Sequence, residues 1–177
     1  MIFGEMAIKG VFLVKLERNE DSRGCFARAF CESEFRAAGF PFHVSQVNLS
    51  KSCGKGTIRG MHYQEPGIHE AKVVRCTRGA VWDVVVDMRE GSSTRLQHLA
   101  FELSDANGLA LCIPDGVAHG HQALTDEADL FYLMDGSYQT GHEAGLRYDD
   151  PAIGIRWPLP LNRISRRDLA WPLLGME

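Results

Sequence analysis

The chain has 177 residues, 45% of them hydrophobic, and a formal net charge of −4. That supplies a sizeable core and argues against non-specific nucleic-acid binding, and no apolar run approaches the ~20 residues of a membrane helix. Any anion site must therefore be built locally from a few arginines and lysines.

Cys25, Cys31, Cys53, Cys76 and Cys112 are odd in number and form no C-x-x-C pair, which fits reduced thiols in a cytoplasm. Acids interrupt "MIFGEMAIKGVFLVKLERNE" too early for the apolar stretch of a signal peptide. No linker, repeat or low-complexity tract breaks the chain, so one domain over residues 1–177 is expected.

In chain order, "MAIKGVFLVKL" has an apolar, strand-like pattern that could complete the sheet of a neighbouring subunit. "ESEFRAAGF" predicts a short helix, ended by Gly39 with Pro41 just beyond. "GTIRGMHYQ", residues 56–64, reads as a strand with neither face cleanly apolar. Ile58, Gly60, His62 and Gln64 would share one side, and Thr57, Arg59, Met61 and Tyr63 the other. "AKVVRCTRGAVWDVVVDMREGSS" predicts two strands joined through Thr77-Arg78-Gly79. In the second, Trp82, Val84, Val86 and Met88 alternate with Val81, Asp83, Val85 and Asp87. Strands follow in "RLQHLAFELS", "LALCIP", "VAHGHQALT" and "ADLFYLMD", separated by turns at Asp105-Ala106-Asn107-Gly108 and Pro114-Asp115-Gly116. From Gly141 onward the chain is expected to wrap the sheets as loops and turns. Many short strands at this spacing predict an all-β sandwich or barrel, and a jelly roll suits the size. No G-x-G-x-x-G or P-loop is present, against a dinucleotide or NTPase fold.

Several polar side chains sit in segments otherwise suited to burial: His62, Lys72, Asp83, His119, His121 and Tyr132. Singly, each has an ordinary structural reading: a satisfied strand histidine, a snorkelling lysine, a core tyrosine with its hydroxyl at the rim. Together they would cost several kcal/mol to desolvate unless paired, which is the mark of a functional cavity. Two chemistries could use them. One is a cupin-type metal centre drawn from His62, His69, His119, His121 and Glu70, although Tyr63 and Gln64 follow His62 where a close His-x-His pair and a Glu would be needed. The other is metal-free and cofactor-free proton transfer, with a histidine base, a tyrosine acid and a lysine to steady negative charge.

"GTIRGMHYQ", "AKVVRCTRGAVWDVVVDMREGS", "IPDGVAHGHQALTD" and "YDDPAIGIRWP", in this order, strongly resemble the dTDP-4-dehydrorhamnose 3,5-epimerase family. The resemblance runs from about Arg23 to Asp168. It implies a metal-free, cupin-like jelly roll with one or two short helices, forming a homodimer. Such an enzyme inverts carbons flanking the 4-keto group of a nucleotide-linked 6-deoxyhexulose. By the same resemblance, His62 matches the general base, Asp168 the carboxylate that orients it, Lys72 the lysine beside the sugar C4 oxygen, and Tyr132 the acid on the opposite face. Arg23, Gln46, Asn48, Arg59 and His119 match positions lining the nucleotide and diphosphate, and Phe26 and Tyr138 the aromatics around the base. One strand then supplies both Arg59 and His62, which requires a bulge or twist between them. Whether C3, C5 or both are inverted is left open by these residues.

Four positions depart from the usual pattern: Arg28 stands where an acid lies near the base, Glu70 where a glutamine is usual, Leu133 for a lysine, and His121 for an aromatic. Arg28 reverses a charge beside the base, so altered base recognition, or a nucleotide other than dTDP, is expected. A metal-dependent cupin and a non-catalytic sugar-nucleotide binding domain are the rival readings.

Overall fold

The computed structural model describes residues 1–136 and 139–175. Two antiparallel sheets face each other. Strands β1 (Ile2–Glu5), β2 (Phe12–Lys15), β5 (Gln46–Cys53), β7 (Ala71–Arg78), β10 (Ala110–Ile113) and β12 (Glu127–Asp135) form the larger sheet, in the order β1-β2-β10-β7-β12-β5. The smaller sheet orders β13 (Glu143–Gly145), β6 (Ile58–Gln64), β11 (Val117–Ala123), β8 (Ala80–Asp87) and β9 (His98–Ser104) as β13-β6-β11-β8-β9. A separate hairpin pairs β3 (Asn19–Asp21) with β4 (Gly24–Phe26). Two short helices complete the fold, α1 (Glu32–Ala37) and α2 (Arg166–Leu169). This is the expected jelly-roll sandwich.

Strand alternation decides which side chains meet. Val81 and Val85 of β8 join Val74, Leu111, Ile113 and Leu130 in the core between the sheets. Val84 and Val86 point the other way, into a cluster with Met61, Leu146 and Ile153 under the C-terminal segment. On the outer face of the larger sheet, Val73 and Cys112 lie beneath Phe35, Phe40 and Phe42 from α1 and the chain following it. The larger sheet is thus covered on its outer face beneath α1 but not at its β5 edge, and fully buried residues such as Leu111 and Leu130 contribute about 1.5–3 kcal/mol each.

The helix at 32–37 ends as the sequence implies, with Gly39 at φ +88. The "MAIKGVFLVKL" segment turns back within itself, Met6 N–H donating to the Val11 carbonyl, and joins the larger sheet of its own chain through β2 and β10, with β1 at that sheet's edge. One expectation is revised. Past Gly141 the chain is not loops alone, because β13 extends the smaller sheet beside β6 and α2 forms a single turn.

Candidate active site

Toward one end of the sandwich, the inward-facing positions change from apolar to polar. Along β12 the inner row runs Ala128, Leu130, then Tyr132; along β7 it runs Cys76, Val74, then Lys72. The inner row of β5 is polar throughout, Gln46, Asn48, Ser50 and Ser52. A cavity of about 550 Å³ opens there between the sheets, a size suited to a small-molecule site. Its walls include His62, Arg59, Gln64 and His119 from the smaller sheet, and Lys72, Tyr132, Gln46 and Asn48 from the larger.

Strand β6 solves the problem its sequence poses by bulging. His62 stands opposite His119 and Arg59 opposite His121, so three steps on β6 match two on β11. The extra residue brings Arg59 and His62 to the same cavity and leaves Met61 fully buried in the outer cluster. Glycine is needed for this. Gly60 has φ +116, and a Cβ there would lie 2.6 Å from the Gly120 Cα and 2.8 Å from the His119 carbonyl oxygen.

His62 Nε2 donates to Asp168 Oδ1 at 2.6 Å. That bond places the proton on Nε2 and leaves Nδ1 as the acceptor. Asp168 comes from α2, where its own N–H is capped by Ser165 Oγ at 3.0 Å, and its carboxylate also accepts from Gly60 N–H. Burial pushes the Asp168 carboxyl up, but the hydrogen bonds from His62, Gly60 and Ser165 outweigh it and hold the group below its ordinary range. Lys72 is ion-paired with Glu70 at 2.9 Å, and Glu70 also accepts from the Gln64 amide at 3.5 Å. The Gln64 Oε1 is buried without a hydrogen-bond partner among the described residues. Burial raises the Tyr132 phenol; Glu70 adds to this and Arg59 opposes it, with a net rise that keeps the phenol protonated.

His119 Nε2 donates to the fully buried Asp83 at 2.9 Å. Arg59 spans to the other sheet, its Nη2 donating to the Lys51 carbonyl at 2.7 Å and its Nε to Ser52 Oγ at 3.3 Å. His69 lies apart from the cavity lining, with Nδ1 on Asp115 and Nε2 on Asp135. The imidazoles weighed as metal ligands are therefore engaged separately, and among the described residues no three His, Cys, Asp or Glu side chains are grouped to hold one ion.

The structure brings His62, Asp168, Lys72, Tyr132, Gln46, Asn48, Arg59 and His119 into one site. It does not bring Arg23, Phe26 and Arg28 there within the same chain. Arg23 pairs with Asp21 and Phe26 is 71% exposed, both on the β3–β4 hairpin, while Arg28 pairs with Glu34. Tyr138 lies outside the described residues. Lining residues missed in the sequence are Ser50, Glu143, Ser165, Arg163 and Arg167. Gln46, Asn48, Ser50 and Ser52 repeat with period two, a signal that could have marked β5 as a strand with a polar inner face.

A jelly roll with an imidazole–carboxylate pair on one wall of its cavity and a lysine and a phenol on the other is a cupin-like fold equipped for proton transfer. The family model for dTDP-4-dehydrorhamnose 3,5-epimerase matches residues 5–175. A dTDP-4-dehydrorhamnose 3,5-epimerase of Sinorhizobium fredii is 39% identical over 175 residues, covering 98% of this chain and 90% of the relative. A dTDP-4-dehydrorhamnose 3-epimerase of Streptomyces niveus is 38% identical over 164 residues, covering 92% and 79% respectively. The crystal structure of a dTDP-6-deoxy-D-glucose-3,5-epimerase from Legionella pneumophila, in complex with dTDP-4-keto-L-rhamnose, superposes with a TM-score of 0.92 at 33% identity, covering 99% of this chain and 93% of that one. The chain belongs to the dTDP-4-dehydrorhamnose 3,5-epimerase family.

Proposed function

We propose that this enzyme inverts C3, C5 or both in a 4-keto-6-deoxyhexose carried on a nucleoside diphosphate, dTDP in the simplest case. The observation that carries the reading is the pair of opposed walls: His62 of the smaller sheet, held by Asp168 of α2, and Tyr132 with Lys72 of the larger sheet, facing one cavity. The hydrogens on C3 and C5 are acidic because the C4 carbonyl takes up the electron pair as an enolate. His62 Nδ1 takes the proton, and Asp168 stabilises the imidazolium that forms. Lys72 steadies the developing charge on O4, a contact stronger in the transition state than in the bound ketone. Tyr132 then donates its proton to the other face of the carbon and is reprotonated from solvent, which completes inversion. Arg59, His119, Gln46 and Asn48 hold the nucleotide and diphosphate.

The active unit in this reading is a homodimer of one-domain subunits in the cytoplasm, where the five unpaired cysteines stay reduced. Edge strand β5 has an inverted pattern in support of this: its polar row faces the cavity, while Val47 is 53% and Leu49 71% exposed on the outer side. A second copy would cover that face and bring the exposed hairpin of Arg23 and Phe26, with Arg28, to the nucleotide end of its neighbour's cavity. Arg28 would there meet the base in place of an acid and change the preferred nucleotide.

The test is proton NMR of dTDP-4-keto-6-deoxyglucose with the enzyme in heavy water, repeated with other nucleoside diphosphates as carriers. Deuterium entering C3, C5 or both, with inversion, is expected. A substrate that binds but exchanges neither hydrogen would reduce the protein to a binding domain, and exchange abolished by a chelator would favour a metal-dependent cupin. Sedimentation should give a dimer that Leu49→Glu dissociates; a monomeric active parent would remove the shared-site part of the reading.

A further inference from the structure

We infer that His121 is a positioning residue for Arg59, acting through Ser52 to aim the guanidinium at the diphosphate; the inference rests on the reading of Arg59 given above. Arg59 and His121 are paired across the β6–β11 ladder and so share a face, while Ser52 reaches them from β5 in the opposite sheet. Ser52 is 2% exposed and His121 4% exposed, so neither exchanges these contacts for water. Arg59 Nε donates to Ser52 Oγ at 3.3 Å, and Ser52 Oγ lies 3.3 Å from His121 Nε2.

The direction of this chain is fixed by counting hydrogens. The Ser52 oxygen accepts from the guanidinium, so its single hydrogen is free to go to the Nε2 lone pair. That requires a neutral imidazole carrying its own proton on Nδ1. An imidazolium would donate from Nε2 instead, and the serine oxygen would then face two donors with its own hydrogen unplaced. The surroundings enforce neutrality: burial, reinforced by His119, Arg59 and His62, pushes His121 down to about 3. The histidine therefore acts as an acceptor that does not titrate in the working range.

The consequence falls on Arg59. Ser52 and the Lys51 carbonyl occupy two of its five N–H donors and leave three for an incoming anion. A guanidinium pinned at Nε and at one Nη has its plane set before the ligand arrives, which saves ordering cost on binding. Without His121 the serine hydroxyl is free to rotate, and the grip on Nε loosens.

Calorimetry with dTDP and with thymidine, which lacks the phosphates, tests this. His121→Phe should weaken dTDP about fivefold while thymidine is unchanged, the scale of one neutral hydrogen bond. Ser52→Ala should give the same selective loss, and the double variant no more than either alone. His121→Gln, which restores an acceptor, should stay within about twofold of the parent. In turnover, KM should rise with little change in kcat. Equal loss for thymidine and dTDP, or additive single losses, would reduce His121 to a packing residue and overturn the inference. The Arg59→Ala control separates the two failures. If it weakens dTDP selectively while His121→Phe and Ser52→Ala do not, the inference alone falls; if it has no selective effect, the reading of Arg59 falls and the inference with it.

Discussion

Replacing Asp168 by Asn removes one charge and preserves shape, so it isolates what the carboxylate does for His62. The carboxylate oxygen sits 2.6 Å from Nε2 and Asp168 is only 4% exposed. With charge centres about 4 Å apart and an effective dielectric constant of about 20, an imidazolium–carboxylate pair is worth about 4 kcal/mol. The imidazole is 45% exposed, and solvent screening can halve that attraction, to about 2 kcal/mol. An imidazole acting as a base gains this attraction only on taking up the proton, so the attraction lowers the barrier to proton removal. Asp168→Asn should therefore slow wash-in of deuterium at the sugar ring by between about 30-fold and 10³-fold. Binding of dTDP, measured by calorimetry, should be nearly unchanged because Asp168 has no part in holding the phosphates. A loss of less than about threefold would mean that His62 is not the base, or that its protonated form needs no partner.

Tyr132→Phe should leave hydrogen exchange running while completed inversion falls about 10²-fold, the usual worth of a positioned acid; inversion at the parent rate would return Tyr132 to a core aromatic. Gly60→Ala puts a Cβ 2.6 Å from the Gly120 backbone at φ +116, so the melting temperature should drop by about 3–10 °C, and an unchanged melt would deny the bulge its tight packing. Asp168 also links stability to acid: its folded carboxyl lies below its unfolded value, so it contributes stability above about pH 4 and loses it as pH falls through the folded value. The melting gap between parent and Asp168→Asn should accordingly close in acid, and a gap that widens there would reverse the sign. His69 has the opposite linkage: the hydrogen bond to Asp115, helped by Asp135 and opposed by burial, raises it, so its contribution is complete below about pH 6.5 and fades as pH rises through the raised value. His69→Gln should cost most near pH 6 and least near pH 9, as read by thermal unfolding.

Much of the fold could be read from the chain because alternation and turn chemistry are local. Val81 to Met88 announced two faces, and the structure uses both, one in the central core and one beneath the C-terminal segment. The strands that escaped notice obey different rules. In β5 the apolar residues Val47 and Leu49 face outward and the polar row faces in, so a pattern read for a core gives no answer there. Strand β13 has three residues, Glu143 to Gly145, and exists because β6 offers it an edge. Helix α2 has four residues and too little propensity of its own; Ser165 caps it and His62 holds its Asp168.

The same division runs through the site. His62, Lys72, His119 and Tyr132 stood out because each puts a polar group where alternation calls for an apolar one. Asp168 could not be found that way, since its partner lies 106 residues earlier in the chain; only the resemblance named it. Arg163 and Arg167 were missed for a similar reason, being surface-type residues that tertiary folding carries to the cavity rim. A two-sheet sandwich makes such a site economical. Adjacent strands of one sheet can only present groups to one side of a bound ring, whereas facing sheets present them to both. Inversion demands a proton taken on one side and returned on the other, so the base and the acid need separate walls. In the proposed reading His62 on β6 is that base and Tyr132 on β12 that acid, and the bulge at Gly60 is the local departure that brings Arg59 and His62 of one strand to the same cavity.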